Sequence, residues 1–245
     1  MSIAAARVLC ASFILAAAAT GLAQERLRED FEQVVPFNPG GSFRIENRNG
    51  DIEIATWGES SVRIEAEKTA KDEEGLENVE IQIQGSGSDV SVETLYHGRR
   101  NHGEVSYRIL LPEEAQVSVA TANGEVIVRG IRGRVDAHSV NGAVTVEDVS
   151  GEIDAETTNG SIRATYEKAA EGTHRFSTTN GSIRIYLPSG AGGEIDAETV
   201  NGGIDVNFPV TLTRTSRRHL RGTFGNGGSA FQVSTVNGSV KFLTN

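Results

Sequence analysis

Five acidic side chains recur at matching phase along the chain: Asp136, Asp154 and Asp196, with Glu156 and Glu198 two positions after the last two. Each takes an outward position in a stretch of alternating apolar and polar residues. If those stretches stack, the carboxylates form one stripe, and Arg175 falls in the same column between Asp154 and Asp196. Three chemistries suit such a stripe. A solvated face needs only Arg175 to relieve repulsion, worth roughly a few tenths of a kcal/mol per pair. Calcium wants roughly six to eight converging oxygens, and a flat ladder offers few. An acid/base pair needs two carboxylates held at a glycosidase spacing. The pattern favours the solvated face.

The second cluster is basic: Arg214, Arg217, Arg218 and Arg221, with His219 among them, on a chain of net charge −10. Its ordinary reading is a solvated loop. Its functional reading is a site for an anionic partner, such as a polysaccharide, a lipid headgroup or an acidic protein. Local charge acts over about 8–10 Å at physiological salt, whatever the net charge. His97 and His102 share one loop but have no Cys or carboxylate pair beside them, so no metal site is assigned. The chain carries no G-x-S-x-G, H-E-x-x-H or phosphate-binding glycine loop. Neither a catalytic residue nor a cofactor is expected. Asn159, Asn180 and Asn237 each begin an Asn-Gly-Ser glycosylation sequon. Asn before Gly is first of all a turn residue that tolerates positive φ, and an Asn packed in a ladder is closed to a transferase.

What must position these groups is a repeat. Asn-Gly occurs with Asn at 49, 123, 141, 159, 180, 201 and 237, and from Asn123 the spacings are 18, 18, 21, 21 and 36 residues. Four positions before the Asn stand Ile45, Val119, Ala137, Ala155, Phe176, Ala197 and Val233. Two before stand Thr121, Ser139, Thr157, Thr178, Thr199 and Thr235, and three after stand Ile52, Val126, Val144, Ile162, Ile183, Ile204 and Val240. Asn-Gly alone signals a two-residue hairpin, hence an antiparallel meander. Gly133, Gly151 and Gly193, about midway between successive Asn residues, supply a second corner and favour a stack. The expected fold is all-β, a parallel β-solenoid or β-helix with coils of 18–21 residues and Asn-Gly corners. Asn49, Asn123, Asn141, Asn159, Asn180, Asn201 and Asn237 then form a structural ladder along the axis. Stacking each coil on the last places Phe176 between Ala155 and Ala197, a large side chain between two small ones. His174 stands where neighbouring coils carry Ile.

The interval before Asn123 lacks these corners and holds longer coils or a small side sheet. The stretch Thr211–Gly228 is either a degenerate coil or a protruding basic loop. Residues 1–23 read as a secretory signal: Arg7, the apolar run Val8–Ala19, then Gly21-Leu22-Ala23. Residues 24–35 form a charged lead-in, helical or loose, and residues 36–245 the repeat domain. Cys10 leaves with the signal, so packing and ladders must hold the product without disulfides. Losing Arg7 leaves 22 basic against 33 acidic residues, which argues against nucleic acid and anionic membranes as partners. No transmembrane helix is expected after signal cleavage.

The phrases GSFRIENRNGDIEIATW, YRILLPEEAQVSVATANGEVIV and the repeated T-x-NG-x-I resemble the bacterial putative-adhesin family of β-strand-repeat domains. This is a domain family of unknown function, related to autotransporter-adhesin heads. The resemblance spans about Val34 to Asn245. It implies an exported β-solenoid in the periplasm, at the cell surface or outside the cell, and brings no catalytic residues. The function expected is non-enzymatic adhesion or binding of an envelope protein or polysaccharide. An envelope-stress accessory or sensor role and a polysaccharide-active β-helix enzyme are the alternatives.

Overall fold

The computed structural model describes residues 26–98, 103–168 and 171–245. The signal reading and His102 lie outside these. The elements in order are β1 (Leu27–Glu46), β2 (Ile52–Thr56), β3 (Ser61–Ala70), α1 (Glu73–Glu77), β4 (Val79–Tyr96), β5 (Glu104–Leu111), β6 (Gln116–Asn123) and β7 (Val126–Arg129). Then come β8 (Val135–Asn141), β9 (Val144–Val149), β10 (Ile153–Asn159), β11 (Ile162–Tyr166), β12 (Gly172–Asn180) and β13 (Ile183–Leu187). The chain ends with β14 (Gly193–Asn201), β15 (Ile204–Val206), β16 (Thr211–Thr215), β17 (His219–Phe224), β18 (Ser229–Asn237) and β19 (Val240–Thr244). The fold is all-β.

Two stacks of strands share one apolar core. Level by level, one stack runs β4, the Ser42–Glu46 half of β1, β6, β8, β10, β12, β18, β14, β17 and β16. The other runs from the Leu27–Pro36 half of β1 through β3, β5, β2, β7, β9, β11, β13, β19 and β15. Pairing through the middle is parallel, and β3, β16 and β17 pair antiparallel at the ends. Strict alternation drives burial. In β8, Val135, Ala137 and Ser139 are buried while Asp136 and His138 are part-exposed.

Level order departs from chain order at both ends. At one end β4 and β5, later in the chain, lie outside β1 and β2. At the other, β18 and β19 enter between β12–β13 and β14–β15. This corrects the expectation that each coil stacks on the last. Phe176 lies between Ala155 and Val233, and Ala197 is the far neighbour of Val233. The inserted level is where the aromatics gather. The buried His174 ring stacks on Phe231 at 4.8 Å, and Phe231 meets Tyr166 and Phe242 edge-on.

The lead-in is also corrected, because Leu27 onward is strand. Its charges face partners on β3, as in Arg28–Glu67 at 3.0 Å and Lys68–Glu29 at 3.4 Å, while Val35 is buried. The stretch Thr211–Gly228 is neither a coil nor a free loop. It forms the β16–β17 hairpin, anchored by buried Phe224, and covers the edge of β14.

The Asn-Gly pairs need glycine for a reason other than φ. Among the described residues, the Asn residues of the column have negative φ, and of their glycines only Gly50 is positive. A Cβ on Gly142, Gly160, Gly181, Gly238 or Gly202 would lie 1.8–1.9 Å from a glycine carbonyl on the adjacent level. Close approach of stacked backbones therefore excludes any side chain there.

Candidate functional site

Parallel in-register pairing puts like residues over like. Asn123, Asn141, Asn159, Asn180, Asn237 and Asn201 each donate Nδ2–H to the Oδ1 of a neighbour, at 2.8–2.9 Å, in a chain that begins on Asn49. All six amides point the same way, so their dipoles reinforce. The hydroxyls two positions earlier do not ladder with each other. Ser139, Thr157, Thr178, Thr235 and Thr199 donate to the glycine carbonyl of the neighbouring level at 2.9–3.0 Å. Most column asparagines are solvent-exposed, including the three in sequons, so the expected inaccessibility is wrong. Their amides are instead occupied by hydrogen bonds.

Immediately before each Asn lies an outward column of Ala122, Val140, Thr158, Thr179, Val236 and Val200. Val140, Val236 and Val200 are 46%, 40% and 51% exposed. They make a straight ridge of β-branched side chains beside the amide ladder.

The acidic stripe is broken. Asp136 and Asp154 are adjacent, followed by Arg175, Gln232 and only then Asp196. Asp154 and Asp196 are thus three strand spacings apart, about 14 Å. That exceeds the roughly 5–9.5 Å of glycosidase carboxylate pairs, so these two do not act together. Arg134, not Arg175, offsets the crowded carboxylates. It reaches Asp136 at 2.8 Å, Glu152 at 3.2 Å and Asp154 at 3.8 Å. Its guanidinium is held above its ordinary pKa chiefly by the Asp136 hydrogen bond.

The basic cluster divides. Arg221 pairs with Glu194 at 2.8 Å, which raises its pKa, and approaches Asp196 at 4.0 Å. That pair ties β17 to β14. Arg214, Arg217 and Arg218 are exposed and make no ion pair among the described residues. His97 meets Glu80 at 3.2 Å.

One constellation was not legible in the sequence. Antiparallel pairing sets His219 opposite Glu198, with Asp196 on the same face. His219 Nε2 lies 2.9 Å from Asp196 Oδ1 and 3.8 Å from Glu198 Oε1. Beside it opens a groove of about 430 Å3, lined by Ser177, Thr179, Val200, Arg218, Ser234 and Val236 among others. His219 stands 23 positions after Asp196, a separation that fits no ligand motif, and only the hairpin joins them.

A family model described as Toastrack DUF4097 matches residues 29–242. The chain belongs to the Toastrack DUF4097 family. That agrees with the family resemblance read from the Asn-Gly phrases. No curated protein matches it. A putative cell adhesion protein from Clostridium sporogenes is 15% identical, with a TM-score of 0.49 over 88% of this chain and all of that one. A putative adhesin from Bacteroides fragilis is 10% identical, with a TM-score of 0.46 over 91% of this chain and all of that one. A third, from Parabacteroides distasonis, is 11% identical, with a TM-score of 0.33 over 88% of this chain and 97% of that one. Within this Toastrack chain, no helix among the described residues is long and apolar enough to cross a membrane.

Proposed function

We propose that the protein is exported and acts as a non-enzymatic envelope β-solenoid that binds an acidic partner along the ridge beside its asparagine column. Coils of 18–21 residues turning at Asn-Gly corners are the frame of this reading, supported by pairing of Asn123, Asn141, Asn159 and Asn180 in register. The observation that carries it is the exposed column ending in Val236 and Val200, which borders the groove shared with Arg218. Stiff β-branched side chains on a hydrogen-bonded frame lose little freedom when covered, so contact there is not offset by ordering entropy. Arg214, Arg217 and Arg218 at the same end add attraction for a negatively charged envelope polysaccharide or protein, felt within about 8–10 Å.

The test is retention of envelope polysaccharide and envelope protein fractions on immobilised protein, at low and high salt. The wild type retains one fraction, more strongly at low salt. The Val200→Gln/Val236→Gln and Arg217→Glu/Arg218→Glu double variants, all at exposed positions, each weaken retention about tenfold or more, the loss of a hot-spot contact. Equal retention by wild type and both variants overturns the reading.

A further inference from the structure

We propose that Asp196, Glu198 and His219 form a site for a divalent transition-metal ion, with zinc the best match. This goes beyond the partner-binding reading and does not depend on it. The three side chains offer Oδ1, Oε1 and Nε2, all within 4.8 Å of one another.

Zinc holds nitrogen and oxygen ligands at about 2.0–2.2 Å in a tetrahedron, which sets ligand atoms about 3.3–3.5 Å apart. The observed separations from Nε2, 2.9 Å to Asp196 and 3.8 Å to Glu198, bracket that value. Small side-chain rotations bring all three to bonding distance. The ion replaces the proton that otherwise bridges imidazole and carboxylate. Two carboxylates and a neutral imidazole carry a charge of about −2, which a divalent cation neutralises. An imidazole ligand selects against calcium and magnesium, which take oxygen.

The platform is rigid. Asp196 and Glu198 are alternate residues of β14, so they face the same side. His219 begins β17, and its backbone is pinned on both sides. Its N–H donates to Ser216 Oγ at 3.0 Å, its carbonyl accepts from Ser216 N–H at 2.8 Å, and Thr199 N–H donates to Arg218 C=O at 2.9 Å. Asp196 presents different oxygens to its neighbours: Oδ1 faces His219, while Oδ2 faces Arg221 at 4.0 Å. Arg221 is itself held by Glu194, so it steadies the outer oxygen and leaves the inner one for the ion. The adjoining groove leaves a fourth coordination position for water or a partner's anionic group near Arg218.

The experiment is calorimetric titration of the purified, untagged protein with zinc chloride at neutral pH, repeated with calcium chloride, with Co2+ absorption as a geometry readout. The expected result is one saturable Zn2+ per chain, no competition from Ca2+, and visible Co2+ bands typical of four or five ligands. His219→Ala and Glu198→Gln each weaken binding at least tenfold, with circular dichroism unchanged. Glu198 is the safer variant because its side chain is 65% exposed. His97→Ala, at one of the two other described histidine–glutamate pairs, leaves the affinity unchanged. Absence of saturable Zn2+ binding overturns the proposal. So does equal affinity in Glu198→Gln, or loss of binding in His97→Ala.

Discussion

Asn237 donates its side-chain amide to Asn180 Oδ1 at 2.8 Å, across 57 residues of sequence. Asn201, which lies between them in the chain, is on the far side and donates to Asn237 at the same distance. A level later in the chain than its neighbours is thus an interior level of the stack. Its strand β18 has β12 on one side and β14 on the other. In a stack built in chain order, loss of the last coil would expose one interface. Here it removes two, together with Phe231 and Phe242 from the core.

Deleting residues 229–245 is therefore expected to unfold β14 to β17 as well, since among the described residues their strand pairing to the rest of the stack runs through β18 and β19. Limited proteolysis should show new cleavage throughout residues 190–228 while residues 115–165 stay protected. A truncated protein in which 190–228 resists protease would contradict the inserted arrangement.

Within the amide column, interior and terminal positions should differ. Asn237→Ala removes two side-chain hydrogen bonds and Asn201→Ala removes one. At about 0.5–1.5 kcal/mol each, and toward the lower end for exposed groups that water can re-satisfy, the costs are about 1–2 and about 0.5–1 kcal/mol. Denaturant midpoints at unchanged m-value measure both. Equal costs would mean the ladder does not act through its individual bonds.

The glycines give a sharper contrast. A Cβ on Gly160 would lie 1.9 Å from the Gly142 carbonyl, whereas one on Gly203 meets nothing within 4 Å. Gly160→Ala must push two hydrogen-bonded levels apart and is expected to cost roughly 3 kcal/mol, the upper range of overpacking. Gly203→Ala should be close to neutral. Thermal unfolding of the two variants decides it, and a harmless Gly160→Ala would show that close approach of the levels does not require glycine in these pairs.

Much of this architecture is written locally. Alternation such as Val135, Ala137 and Ser139 declares which side chains go inward, and recurrence of Asn-Gly at 18 and 21 residues declares that levels stack. What alternation cannot encode is which level touches which. Every level offers nearly the same edge, so the choice of β18 as neighbour to β12 rests on volume. Phe231 fits against the His174 ring, where a repeat in chain order would place Ile195. The site was hidden for the same reason. Asp196 and Glu198 read as ordinary outward residues, and His219 as one member of a basic run. Only the antiparallel return of β17 onto β14 puts the imidazole between the carboxylates. Arg221 likewise looked free until Glu194 appeared across the same pair of strands.

Three of the four tyrosines carry phenols shielded from water, and this sets an alkaline limit on the fold. Burial raises the pKa of Tyr166 well above its ordinary value. It also raises that of Tyr107, against an opposing hydrogen bond from Thr94, and that of Tyr96, against contacts from Asn49. A folded-state pKa above the unfolded value gives stability that is fully present below the unfolded pKa, about 10, and is lost as pH rises beyond it. Above that pH the unfolded chain releases phenolic protons that the folded chain keeps. Phenolate absorbance of the shielded phenols Tyr96, Tyr107 and Tyr166 should therefore rise together with loss of β signal. In Tyr107→Phe and Tyr166→Phe, the fall of Tm between about pH 9 and about pH 11.5 should be shallower than in the wild type, because one proton-linked contribution has been removed. Ionisation of all the phenols near pH 10 with the fold intact would show that these side chains are reached by solvent and that burial does not hold them neutral.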